Sequence, residues 1–454
     1  MARTFDLVVH GGTVVTEKGS ETASIAIHDG KIADVAGTIS LSRAERAIDA
    51  RGLHILPGVI DSHVHFREPG LTHKEDLASG SRAAVLGGVC CIFDMPNTQP
   101  ALVDVASHRH KVALAKGRLF CDYGFYVGAH REHWRALPDV EKQHGCVGVK
   151  VFMGSSTGSL LIDDEATLGG ILARVNRRIA VHCEDEARLR IRADNHSKQW
   201  SQWWGCGAHA RLRDPQAALN ASQRLVRLLH KHKRYGHILH LTSQEEVLWL
   251  RSLAPQVRGW VSVEVTPHHL TFEMPSALRR AAELGGEGFA VVNPPIRSSR
   301  HRQALWDAVR RGEIATVGSD HAPHTRAEKT ESVYPQLPSG MPGVQQMLPI
   351  MLNHCHQGRL GLNRLVAMTS ANVARVFGLQ AKGSMTQGFD ADLTLVDLQA
   401  RRRLGSSRCG WSLYEGMQVI GWPIMTMVRG NLVMREDTVI GEPIGQPCSL
   451  SSPL

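Results

Sequence analysis

The chain has 454 residues, 43% of them hydrophobic and 21% charged, the balance of an ordinary globular protein whose core is large enough to need no staples. Its formal net charge of +9 would suit nucleic acid or small anions. No basic run interleaved with aromatics occurs, however, and arginines such as Arg174, Arg177, Arg178, Arg224 and Arg227 scatter over helical stretches, so we expect a solvated basic face and no nucleic-acid partner.

Nine cysteines without a C-x-x-C spacing point to a reducing compartment. No apolar run nears the roughly 20 residues of a membrane helix, so no membrane association and a cytoplasmic location are expected. Residues 1–55 read as a small β unit. Alternating runs (Leu7-Val8-Val9, Thr13-Val14-Val15 and Ser24-Ile25-Ala26-Ile27) are separated by turn signals at Gly11-Gly12 and Asp29-Gly30. Asp6 falls inside the first apolar run, which therefore reads as a strand start and not a signal peptide.

Residues 56–375 read differently. Apolar runs at 55–65, 89–95, 120–127, 147–152, 179–183, 238–241, 261–265 and 314–318 alternate with helix-like stretches. Such continuous runs suit parallel strands buried on both faces, and their repetition predicts an α/β fold, a (β/α)₈ TIM-like barrel. The Trp-rich stretch Trp200–Trp204 reads as a surface excursion or an oligomer contact. A strand-like texture returns over residues 376–440, in Asp392–Val396 and Met425–Val428 with a turn at Arg429-Gly430-Asn431. Both chain ends are thus expected to build one β-sandwich. Residues 441–454, with Pro and Ser, are expected to form a flexible tail.

The apolar runs end in polar residues: His63 and His65, then Asp94 to Asn97, His182 with Glu184, His240, and Asp320 with His324, while Lys150 lies inside an apolar run. Active sites of such barrels lie at the C-terminal strand ends, so these side chains are expected to converge on one mouth. Strand alternation puts Asp61, His63, His65 and Arg67 on one side, with Arg67 above the two histidines. A buried lysine there is costly as a cation and becomes reasonable when chemically changed or serving as a ligand.

Together "LPGVIDSHVHFREPG", "DMPNTQP", "GVKVFMGSSTG", "HCEDE", "HLTS", "TPHHL", "NPPIR", "GSDHAPHT" and "SGMPGVQ" resemble the cyclic amidohydrolases, specifically the dihydroorotases, along nearly the whole chain. The resemblance implies a hydrolase with two zinc ions bridged by a carboxylated Lys150. His63, His65 and Asp320 would hold one ion, His182 and His240 the other. It further implies that Asp320 is the catalytic proton shuttle. Arg67, Asn97 and His324 would bind the carboxylate of carbamoyl aspartate or dihydroorotate, and the backbone of Gly340 and Gly343 would face its ring. Allantoinases and hydantoinases share the histidine pair but lack the Arg-Glu-Pro-Gly and Pro-Asn-Thr elements, and they remain the alternative. A second alternative is a metal-free relative acting as a partner of aspartate transcarbamoylase, although such relatives lose ligands and here all six positions are filled. Association with aspartate transcarbamoylase and a homodimer are both left open.

Overall fold

The computed structural model describes residues 4–154, 160–196, 206–331 and 336–451; the stretch Trp200–Trp204 lies outside them. Eight strands form the central parallel sheet: β1 (Val59–Val64), β2 (Val89–Asp94), β3 (Asp122–Gly128), β4 (Cys146–Phe152), β5 (Ile179–His182), β6 (Gly236–Ile238), β7 (Val261–Val265) and β8 (Thr316–Val317). β1 meets the chain just past β8, where Val64 bridges His321 and the His65 N–H donates to His321 O at 2.7 Å. The expected barrel is therefore present and closed.

Local sequence explains its regularity. The strands are buried almost without interruption, as both faces of a barrel wall require. Polar residues then start the helices. Asp76, Asp104 and Ser243 accept from backbone N–H groups of the helices Leu77–Leu86, Val105–Ala115 and Gln244–Ser252, each in a capping box. Inside the barrel, Ile60, Cys91, Phe93, Tyr126, Val147 and Ala180 share one apolar cluster with Phe377. Apolar packing fills the bottom and leaves the polar residues at the top.

Nine strands from both chain ends form a second, continuous sheet. His54–Pro57 joins the two ends, pairing in parallel with Phe5–Val15 and antiparallel with Leu393–Arg403. Leu7, Val9, Ile25, Leu393, Leu395 and Met427 share its core. The single apolar run over 55–65 is thus two strands, split at Gly58. A side chain at Gly58 would bring its Cβ within 2.5 Å of Asp392 Cβ, so only glycine lets the chain leave this sheet and enter the barrel. No helix among the described residues is long and apolar enough to cross a membrane.

The tail corrects an expectation. Far from being loose, the chain past Gly441 docks on the barrel. Gly445 N–H donates to Leu119 O at 2.7 Å, Tyr123 N–H to Gln446 O at 3.0 Å, and Cys448 N–H to Tyr123 O at 2.7 Å. Cys448 is buried in the apolar cluster at the barrel bottom, its sulfur 3.1 Å from that of Cys91. The Pro and Ser content spoke only for a segment outside helix or strand; backbone pairing and one buried side chain order it regardless.

A buried charge cluster bolts the two sheets together. Lys382 Nζ lies 2.7 Å from Asp122 Oδ2, 2.7 Å from Asp392 Oδ2 and 3.0 Å from Asp390 Oδ2. Arg429 also pairs with Asp122. Asp122 opens β3, whereas Asp392 immediately precedes Leu393–Arg403.

Candidate active site

The six expected metal ligands line one pocket at the C-terminal ends of the strands: His63, His65, Lys150, His182, His240 and Asp320. Ligand atoms of His63, His240 and Asp320 lie within 4.8 Å of one another. Asp320 Oδ1 is 3.1 Å from His63 Nε2 and 3.3 Å from His65 Nε2, and His182 Nδ1 is 3.0 Å from His240 Nε2. His240 and Asp320 have φ values of 36° and 46°, in the left-handed region that costs non-glycine residues energy and is often met at functional sites.

Three histidines are tied by one ring nitrogen and turn the other inward. Glu264 Oε1 holds His63 Nδ1 at 2.7 Å. Asn97 Oδ1 holds His65 Nδ1 at 2.6 Å, and Glu184 Oε2 holds His182 Nε2 at 2.8 Å. Arg213 Nη1 donates to the same Glu184 oxygen at 2.9 Å. Ring nitrogens anchored by carboxylate or amide oxygens are what metal-ligating histidines need. The inward set is imidazole nitrogens with one carboxylate oxygen, a donor set suited to divalent zinc. The residues present therefore fit a metal centre.

Electrostatics agree. Burial pushes His65 down to about 3 and, with the repulsion of His182, holds His240 well below the usual imidazole range, so both rings stay neutral and able to act as ligands. Burial raises the carboxyl of Asp320, but His63, His65 and His240 outweigh it and hold Asp320 ionised. Burial likewise lowers the Lys150 amine to about 7, so much of it is neutral near neutral pH.

Arg67 follows β1 at φ 62°, beyond the regular alternation of the strand. It is nonetheless buried and lines the pocket. Asp94 helps hold the turn: its Oδ1 accepts from Phe66 N–H at 2.8 Å, and its other oxygen pairs with the buried Lys111 at 2.6 Å. Arg67 Nε donates to Pro323 O at 3.2 Å, and Nη2 lies 3.3 Å from His324 Nε2. The neighbouring Glu68 does not pair with Arg67, being bound by Arg118 through two contacts of 2.7 and 3.1 Å. Among the described residues no carboxylate pairs with the Arg67 guanidinium.

Of the remaining expected residues, Asn97 and Gly340 line the pocket. Gly340 has φ 137°, and an added Cβ would come within 2.5 Å of Ala322 O. His324 lies further out, in a vestibule shared with Arg67, Lys74 and Asn97. Gly343 is a correction: it does not line the pocket, and its N–H donates to His321 Nδ1 at 3.0 Å. Its motif runs on from the pocket wall into the support behind it. The basic helical face also needs amending, since Arg178 turns inward and donates to Val376 O at 2.6 Å and Gly236 O at 3.0 Å.

Sequence reasoning missed several participants. Asn293 lines the pocket with a buried Oδ1 that has no hydrogen-bond partner, and Phe152 and Ser339 complete the wall. Asn293 stands in the quoted "NPPIR" element, which could have flagged it. Glu264 sits on β7, whose pointing direction only the closed barrel reveals. His269 has a supporting place, bonding Thr266 Oγ1 at 2.8 Å and Pro294 O at 3.0 Å.

Known proteins give the same picture. Residues 221–433 match the model of the amidohydrolase family. The chain is 36% identical over 420 residues to the dihydroorotase of Halobacterium salinarum, covering 90% of this chain and 93% of that one. It is 34% identical to the dihydroorotase of Methanosarcina acetivorans, covering 96% and 94%. Among solved structures, an L-hydantoinase (dihydropyrimidinase) from Arthrobacter aurescens superposes with a TM-score of 0.91 at 27% identity, over 98% of this chain and all of that one. A D-hydantoinase gives 0.86 at 26% identity, covering 97% of each.

Proposed function

The chain belongs to the dihydroorotase family of amidohydrolases, and on that premise we propose that it interconverts N-carbamoyl-L-aspartate and L-dihydroorotate, in the cytoplasm and as a step of pyrimidine biosynthesis. The observation that carries the substrate is Arg67. A buried guanidinium with no carboxylate partner among the described residues is costly unless an anion arrives to pair with it. Dihydroorotate brings a carboxylate; hydantoin and allantoin bring neutral rings. The hydantoinase structures share the barrel and its mouth, but fold likeness alone does not select a substrate.

The proposed cofactor is a pair of zinc ions: His63, His65 and Asp320 would hold one and His182 and His240 the other, and Lys150, as its carbamate, would supply further oxygen ligands. When bound, such metals supply Lewis-acid polarisation and make water acidic near neutral pH. A neutral buried amine is the form of lysine that captures CO₂, and the direction of the Lys150 shift supports that role.

This chain's residues do the rest. Arg67 grips the substrate carboxylate in a two-pronged hydrogen bond and so sets where the ring lies. The unpartnered Asn293 oxygen accepts a ring N–H. During ring opening, Asp320, held ionised by its histidine neighbours, takes a proton from the attacking water and delivers it to the leaving amide nitrogen. In ring closure the same carboxylate moves the proton in reverse. The deciding experiment is one assay with metal analysis comparing dihydroorotate, allantoin and hydantoin. Faster opening of either neutral ring overturns the assignment.

A further inference from the structure

His324 is pressed between two cations. Lys74 Nζ is 3.1 Å from its Nδ1, and Arg67 Nη2 is 3.3 Å from its Nε2. Its Nε2 also lies 3.1 Å from the carbonyl oxygen of Ser339. An ammonium has only donors and a carbonyl has only lone pairs. Nδ1 must therefore accept from Lys74, and Nε2 must carry the hydrogen and donate to Ser339. The opposite tautomer would set an N–H against the ammonium and leave the carbonyl unserved. Lys74 cannot swing away freely, because Glu328 Oε1 holds Nζ at 2.9 Å. Glu328 is itself fixed at the start of helix Arg326–Thr330, where its Oε2 accepts from Thr325 N–H at 2.8 Å.

The consequence falls on Arg67. With the hydrogen on Nε2, His324 offers no lone pair to the guanidinium, so Nη2 stays available for an incoming anion. We propose that Lys74 is a positioning residue: clamped by Glu328, it fixes the His324 tautomer and keeps Arg67 ready for the substrate carboxylate. This rests on the reading that Arg67 and His324 receive that carboxylate. Lys74 also lines the vestibule through which the substrate arrives, and it stands 250 residues from His324 in sequence.

The test compares Lys74→Met, Lys74→Arg and Glu328→Gln in the metal-loaded enzyme, with metal content and thermal midpoint as fold controls. We expect Lys74→Met to raise KM for dihydroorotate about tenfold, as for one lost hydrogen bond to a charged group, with a smaller change in kcat. Four charged groups act on His324: Glu328, Arg67, Lys329 and Lys74. Burial is the first cause that holds the His324 ring neutral and Lys74 is the last of its cationic neighbours, so the readout is the KM-against-kcat split and its rescue. Lys74→Arg should restore KM, and Glu328→Gln, which loosens the lysine without removing it, should shift KM the same way by less. Equal falls in kcat and kcat/KM, or failure of arginine to rescue, would overturn the proposal. If Lys74→Met does not fold, Glu328→Gln decides: an unchanged KM overturns it. A wild-type enzyme inert towards dihydroorotate would instead overturn the substrate reading.

Discussion

Glu264 Oε1 closes on Nδ1 of His63 at 2.7 Å and leaves Nε2 of that ring turned towards Asp320, 3.1 Å away. Glu264 is fully buried on β7 and kept ionised: burial raises its carboxyl, but His63 and His237 outweigh this and hold it at about 2. It therefore presents a full negative charge to the back of the His63 imidazole, raising its basicity as a proposed metal ligand. Glu264→Gln keeps the shape and removes the charge. We expect metal affinity to fall roughly 10- to 100-fold, read by competition with a chromophoric chelator, while the far-ultraviolet circular dichroism is unchanged. Unaltered affinity would show that Glu264 is only a structural acid.

Arg67→Met separates substrate recognition from metal binding. The variant removes the buried guanidinium but touches none of the proposed metal ligands. Turnover of dihydroorotate at sub-saturating concentration should drop on the order of a hundredfold, as expected for losing hydrogen bonds to a charged group. Metal content measured by atomic emission should stay at the wild-type level. Loss of metal together with activity would mean that the residue supports the centre and does not select the substrate.

The barrel was legible because it is periodic, and the candidate ligands stood out because they are chemically rare. Eight apolar runs, each ending at the same level of the wall, announce a barrel, and a lysine inside a buried strand stands out by its cost. The residues behind the ligands were not legible in this way. Glu264 is an ordinary acid in sequence, and only barrel closure brings it to His63 across 201 residues. Gly343 was overread because a motif marks a segment, not the direction each residue faces. The tail was underread because a segment without periodicity can still be ordered by single contacts, such as Cys448 against Cys91.

Lys150 gives a prediction about covalent state. Burial lowers its amine to about 7, so below that pH it is largely protonated and cannot add CO₂, and above it the neutral amine is available. Protein loaded with zinc in bicarbonate above neutral pH should be heavier in native mass spectra by one CO₂. Lys150→Arg, which cannot form the carbamate, should lack that mass and lose most of its metal. A zinc-loaded wild type of unmodified mass would remove the bridging ligand from the scheme.

The docked tail predicts a stability effect. Deleting residues after Gly441 strips backbone partners from Leu119 and Tyr123 and uncovers Cys91. The truncated chain should unfold at a lower temperature than the full chain. Cys91, fully buried in the intact protein, should become reactive to a thiol reagent under native conditions, read by peptide mass mapping. An unchanged midpoint with Cys91 still protected would mean that the tail only rests on the surface.

Lys382 predicts both a stability loss and its pH window. Burial lowers its amine, but Asp392 and Asp122 outweigh this and raise it well above the ordinary 10.5. Because its folded value lies above its unfolded one, its contribution is fully present below 10.5 and disappears as pH rises through the folded value. Lys382→Met leaves Asp122 and Asp392 buried with Arg429 as the one cation that answers them among the described residues. Removing one partner of such a cluster costs about 3–5 kcal/mol, so at neutral pH the variant should unfold at a clearly lower denaturant concentration. The difference between wild type and variant should hold steady up to about pH 10 and shrink above it, measured by denaturant titration at each pH. A difference that shrinks near neutral pH instead would show that the lysine is not held charged by these carboxylates, and the two sheets would then owe their fixed orientation to apolar packing alone.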